Sequence, residues 1–231
     1  GTPAGCMVSV KSNITREVNM PNWVTNKISA PPYVIAALLN EEHVVDFSRI
    51  ESFSGTFPWN GIHVAAETFA EIVVGRPLSE DSELASLEAE NRAVATLNAL
   101  NDEAFEQFVQ MLRNYRQCGF LHEVDFAYER WGTKWNAVES SVDLAAGTAS
   151  FQTAWTCPTP VFFALSKKFP TDKIDVQYAD EDVGRNCGMF ALLDGEVIES
   201  DIAPLWDEQD DGRSVFWHRF ACTLTGCDPE E

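Results

Sequence analysis

Positive charge is what this chain has least of: 16 Lys and Arg stand against 36 Asp and Glu, a formal charge of −20 over 231 residues. The shortage runs along the whole chain, with 7 basic against 17 acidic residues in Pro21–Trp131 and 7 against 18 in Gly132–Glu231. Such a chain repels phosphate, so direct nucleic-acid binding through a broad basic face is not expected. A host or defence protein with a basic surface is a physically easier partner, although solubility alone accounts for many of the acids.

Long apolar runs are also missing. None approaches the roughly 20 residues that a membrane helix needs, and Gly1 to Asn19 contains no long apolar segment of the secretory type. A cytoplasmic protein is therefore expected. Its 6 cysteines are too sparse for a disulfide scaffold, and in that compartment they are expected to stay reduced.

Signatures of chemistry are equally scarce. There is no phosphate-binding loop and no Gly-x-Gly-x-x-Gly. Cys118 with His122, and Cys222 with Cys227, are paired cysteine or histidine positions, but structural zinc sites join closer pairs at a defined separation. Cys157 or Cys187 with His43, His63, His122 or His218 would be the components of nucleophilic catalysis. Cys157 is the better of the two, because it precedes a helix whose dipole lowers a thiol pKa. No local signature ties a base to it. Asp180, Glu181 and Asp182 before Gly184 lack the spacing of an EF-hand calcium loop. No catalytic residue, cofactor or metal is expected.

What the chain does contain is a run of well-punctuated elements. Asn22 to Ala30 alternates with Val24, Asn26, Ile28 and Ala30 on one face, and Tyr33 to Glu41 has helical spacing after Pro31-Pro32. Phe151, Thr153 and Trp155 share one face of a second strand. Thr159 is placed to cap a helix with Pro160 at its first position, ending near Phe169 because of Pro170. Ile174 to Tyr178 alternates again, and Asp194-Gly195 suits a type I′ turn between Met189–Leu193 and Glu196–Ile198. Between these halves, three helices are expected. The first spans His63–Val74. The second is capped by Ser79 and lined by Leu84, Leu87, Val94, Leu97 and Leu100. The third carries Phe105, Phe108, Val109, Leu112 and Tyr115 up to Gly119.

Strand then helix, followed later by strand, helix and strand, predicts an α+β chain: a ferredoxin-like sandwich of antiparallel sheet and two helices, split by a helical insertion. The expected division is 1–19 as an N-terminal extension, 20–46 and 123–205 as the two parts of the ferredoxin-like domain, 47–122 as a mainly helical insertion, and 206–231 as an acidic and aromatic tail. The tail has Asp207, Glu208, Asp210 and Asp211 ahead of Phe216, Trp217 and Phe220. Val24, Ile28, Phe151, Trp155, Ile174 and Val176 are expected in one core, with Leu38 and Leu165 covering the sheet.

Tryptophan is the residue type with a claim to a surface. Trp23, Trp131, Trp135 and Trp155 could form a stacking platform, with Lys134 and Asn136 beside them, although buried packing is the competing expectation. Gly132 between two large aromatics predicts a reversal with positive φ. Trp135 is then expected to pack inward, and Lys134 to face solvent or an acid.

Met20-Pro21-Asn22-Trp23, Trp131-Gly132-Thr133-Lys134-Trp135 and Phe151-Gln152-Thr153-Ala154-Trp155 resemble the YubB-like family of plasmid and phage proteins, which carry a ferredoxin-like domain. The resemblance continues through Ala164 to Phe169 and Tyr178 to Glu181, and omits the helical insertion and Gly1–Asn19. Val24 stands where members often carry Cys, while Cys187-Gly188 resembles the family's Cys-Gly. The resemblance implies a mobile-element origin and this fold, with no established reaction. Charge, missing signatures and resemblance together lead to the expectation of a non-enzymatic, acidic accessory protein that binds another macromolecule. A small-ligand or nucleotide-binding module on the tryptophans is the alternative, and a cryptic enzyme a third.

Overall fold

The computed structural model describes residues 21–204 and 211–228. The expected N-terminal extension and the acids Asp207, Glu208 and Asp210 lie outside the described residues.

A six-stranded antiparallel sheet organises the chain, with the order β2-β3-β1-β4-β5-β6. The strands are β1 (Trp23–Ser29), β2 (Val138–Asp143), β3 (Thr148–Ala154), β4 (Ile174–Asp180), β5 (Cys187–Leu193) and β6 (Glu196–Ile202). β1 lies in the middle, antiparallel to both β3 and β4. The first four strands thus form the ferredoxin-like arrangement, and β5 and β6 extend it. Period-2 burial explains β1: Val24, Asn26 and Ile28 are buried while Lys27 is exposed. The hairpin between β5 and β6 turns at Asp194 (φ 53°) and Gly195 (φ 72°), the two positive angles of a type I′ turn.

Helices α1 (Pro32–Ala37) and α6 (Thr159–Lys168) cover one face of the sheet. Their core contains Ile28, Leu38, Phe151, Leu165, Ile174 and Val176, as expected. α1 is shorter than the spacing of Tyr33 to Glu41 suggested, because the chain leaves the helix to form a bridge from Leu39 to Val45. At α6 the cap is Pro158, not Thr159, which is the first helical residue.

Helices α2 (Val64–Val74), α3 (Ser82–Val94) and α4 (Asp102–Cys118) lie between the two sheet-forming stretches. Ala66, Ala70, Ala104, Phe108, Met111 and Leu121 make a separate core there. Gly75 and Gly119, both left-handed, stop α2 and α4. Two details differ from expectation. Asp81 caps α3 by accepting from the amides of Glu83 and Leu84, whereas Ser79 accepts from Asp81 one step earlier. α3 also ends at Val94, so Leu97 and Leu100 lie beyond it. Helix α5 (Glu123–Arg130) follows, capped by His122.

The end of the expected tail forms α7 (Asp211–Thr225). It covers the opposite face of the sheet, where Trp217 and Ala221 pack with Ala179 and Cys187. α7 ends in a left-handed Gly226 that folds the chain back. This brings Cys222 and Cys227 to a Cα separation of 4.6 Å as a disulfide, so the expectation that these cysteines are reduced is corrected.

Among the described residues no helix is long and apolar enough to cross a membrane.

Candidate functional site

The four candidate tryptophans divide into one that belongs to the scaffold and three that meet at the surface. Trp131 is buried, edge-on to Phe47 and Phe126 at 5.8 Å from each. Its indole N–H donates to the Glu51 carbonyl at 2.9 Å, which satisfies its one polar atom. Trp23, Trp135 and Trp155 instead form a row, with ring centroids 6.5 Å apart from Trp23 to Trp135 and 5.2 Å from Trp135 to Trp155. Trp135 is 39% exposed and Trp155 36%, so neither packs into the core as expected.

The local backbone explains both departures. Strand alternation would carry Trp155 to the same face as Phe151 and Thr153, but β3 ends at Ala154 and Trp155 takes a left-handed φ of 62°. Both its backbone groups are held in that conformation. Its N–H donates to Asn22 at 2.8 Å, and its carbonyl accepts from the Asn186 side chain at 2.9 Å. Gly132 makes the expected reversal at φ 74°. A Cβ there would meet Pro160 at 2.7 Å, so glycine is needed for both conformation and space. The Thr133 hydroxyl donates to the Ala154 carbonyl at 3.0 Å, and Thr156 donates to Gly132. These bonds tie the turn carrying Trp135 to the end of the strand before Trp155.

Asn136 belongs to the support. Its side-chain oxygen accepts from the Phe47 amide at 2.9 Å, and its nitrogen donates to Asp46 at 2.7 Å. The Asn136 and Ser48 hydrogen bonds hold the Asp46 carboxyl below its ordinary range despite the opposing effect of burial. Lys134 places its ammonium 5.1 Å from the centre of the Trp135 ring, a cation–π contact instead of an ion pair.

Trp135 and Lys134 also border a cleft of about 450 Å³ shared with Phe57, Trp59, His122 and Glu123. Phe57 lies 5.1 Å from Trp59 and 5.6 Å from His122, which continues the aromatic surface towards the helical stretch. The sequence places these residues only within the mainly helical 47–122 insertion and gives no sign of this role. Nothing local in Phe57-Pro58-Trp59 indicates that it meets a turn more than seventy residues later.

His122 and the free thiols are otherwise engaged. His122 Nδ1 accepts from the Asp125 amide at 3.1 Å, which assigns the proton to Nε2, the donor to Glu67 at 2.9 Å. Cys118 donates to the Asn114 carbonyl at 3.3 Å. No cluster of three potential metal ligands occurs among the described residues. Cys157 was the sequence's best nucleophile, yet burial pushes its thiol up to about 12, opposite to the lowering expected from the helix start. Burial likewise pushes Cys187 up to about 11. Alkylation at about pH 8 should therefore be at least tenfold slower at Cys157 in the folded protein than in urea. Equal rates by peptide mass analysis would contradict the buried thiol.

Acids border the aromatic row. The Glu181 amide donates to the Trp23 carbonyl at 3.0 Å, so an exposed acidic residue adjoins Trp23 through the backbone, and exposed Glu123 lines the cleft. The surface therefore combines flat apolar rings with negative charge at its edge.

No curated protein matches the chain. A crystal structure of a protein api92 from Yersinia pseudotuberculosis aligns over 80% of this chain and 99% of that one, with 12% identity and a TM-score of 0.35. Residues 130–218, from the end of α5 into α7, match the family model described as the ferredoxin-like domain in Api92-like protein.

Proposed function

We propose that the protein is a non-enzymatic, acidic accessory protein that binds a protein partner with a basic surface through the Trp23–Trp135–Trp155 row. The observation that carries this is the row itself: two tryptophans more than a third exposed, held by a hydrogen-bonded turn and a strand end. Contiguous exposed aromatic surface is costly to leave in water and marks interaction sites. Tryptophan and arginine are frequent anchors of such interfaces, and a partner's guanidinium can stack on an indole face while acids at the edge draw it in. The resemblance to YubB-like proteins supports a phage or plasmid setting, in which the partner would be a host or defence protein met in the cytoplasm.

Capture from a host lysate tests the proposal. A partner should be retained at low salt, released as screening increases, and absent when Trp135→Ala protein is the bait. No partner at low salt, or retention by the Trp135→Ala bait, would sink it.

A nucleotide or other small planar ligand is the alternative occupant, favoured by the cleft beside Trp135. Its volume of about 450 Å³ is in the range of ligand pockets, and Lys134 stands at its border. Quenching of tryptophan fluorescence by one member of a nucleotide panel, lost in Trp135→Ala, would favour this occupant over a protein.

A further inference from the structure

Helix α3 rests on the protein with its polar side. It has no buried residue along its thirteen positions. Arg92 reaches inward, donating to the Arg76 carbonyl at 2.7 Å and pairing with Glu71 at 3.4 Å. Glu88 accepts from the Ser79 amide at 2.8 Å. Ala85, Glu88 and Arg92 are the half-buried residues of the helix, so they define its inner side at the three- and four-residue spacing of a helix face. Leu84, Leu87 and Val94 form a neighbouring stripe and are 54%, 55% and 76% exposed. An amphipathic surface helix ordinarily turns its apolar stripe to the core; this one leaves it in water. The stripe leads into a groove of about 340 Å³, lined by Val64, Ala65 and Thr68 of α2 with Asn91, Val94 and Ala95. It shares no residue with the tryptophan row.

Charge decides what could cover it. Glu83 and Glu90 are exposed and lie four residues before Leu87 and Val94, one turn away on the same side of the helix. Glu80 and Asp81 stand at its start, and its only cation, Arg92, is turned inward. A second copy docking face to face would set these acids against their own counterparts, where like charges are destabilising. A cationic segment meets no such opposition.

We propose that the Leu84–Leu87–Val94 stripe and its groove form a docking site for a cationic amphipathic helix of a partner protein, recognised by apolar insertion between flanking acids.

Model peptides of about four turns test this directly. One carries leucines on one face and lysines on the other, the second replaces the lysines by glutamates, and the third keeps the lysines but lacks the leucines. Fluorescence anisotropy should show binding of the first at least tenfold tighter than either of the others. Leu84→Ser with Leu87→Ser, which changes no charge and only exposed positions, should weaken that binding at least tenfold while leaving the circular dichroism unchanged. Trp135→Ala should leave it unaltered, so the outcome stands apart from the function proposed for the tryptophans. Binding of the leucine-free lysine peptide as tightly as the first would reduce the effect to bulk charge and overturn the proposal. So would an unaffected double variant, or a dimer in sedimentation that the double variant abolishes, which would assign the stripe to a second copy.

Discussion

Replacing Asn114 by alanine is expected to lower the unfolding free energy by about 2–3 kcal/mol, because the buried Leu121 carbonyl loses its partner at a cost of roughly 1–3 kcal/mol and the part-buried bonds to Thr56 are lost with it. Asn114 is 1% exposed and uses its whole hydrogen-bonding capacity. Its oxygen accepts from the Thr56 amide at 3.1 Å and Gln110 at 2.9 Å. Its nitrogen donates to the carbonyls of Thr56 at 2.9 Å and Leu121 at 3.0 Å. One side chain on α4 thereby fixes both the loop before α2 and the approach to α5. Gly55 lies so near that a Cβ there would meet Asn114 at 2.9 Å, so the loop packs directly against this side chain. Urea unfolding should report the loss as a lower midpoint at unchanged slope. A change below about 1 kcal/mol would mean that water replaces the side chain and that the loop is not held by it.

Trp135→Ala should act in the opposite way, with a small effect on stability and a large one on recognition. With 39% of the residue exposed and the ring contacting Trp23, Trp155 and Lys134 at the surface, its removal empties no closed cavity. A loss of about 1–2 kcal/mol covers the apolar area involved, well below the roughly 3–5 kcal/mol for truncating a buried aromatic. At the centre of the proposed interface the same change should weaken partner binding by about 100-fold or more, the scale of a hot-spot tryptophan. Thermal unfolding and titration of the captured partner separate the two quantities. A protein that binds normally but has lost several kcal/mol of stability would return Trp135 to the scaffold.

The elements that were legible in the sequence are those whose signals are local. The alternation of Val24, Asn26 and Ile28, the prolines around α6, and Asp194-Gly195 each act through neighbouring residues. β2 was missed because Val138–Asp143 is mostly polar and pairs only with β3, across an irregular register between Val138 and Ser141. α7 was missed because Trp217 acquires its burial from a second sheet face, which no spacing within the tail announces. Trp155 looked like a core residue by period 2. Its left-handed backbone, stabilised by Asn22 and Asn186 from distant segments, reverses that assignment. The candidate surface was therefore legible as a set of residue types, while the separation of buried Trp131 from the exposed row required the fold.

The position of β1 also sets an order on assembly. Ser29 pairs with Thr148 on one side and Asp175 on the other, so the middle strand is synthesised first and waits for both neighbours. The helices made in between have their own apolar cluster and can shorten the effective loop before the sheet closes. Even so, the sheet depends on contacts far apart along the chain, the kind whose loop-closure entropy slows folding. Until β3 and β4 emerge, Trp23–Ser29 presents unpaired backbone edges on both sides, which makes the waiting period the chain's point of greatest exposure to mispairing.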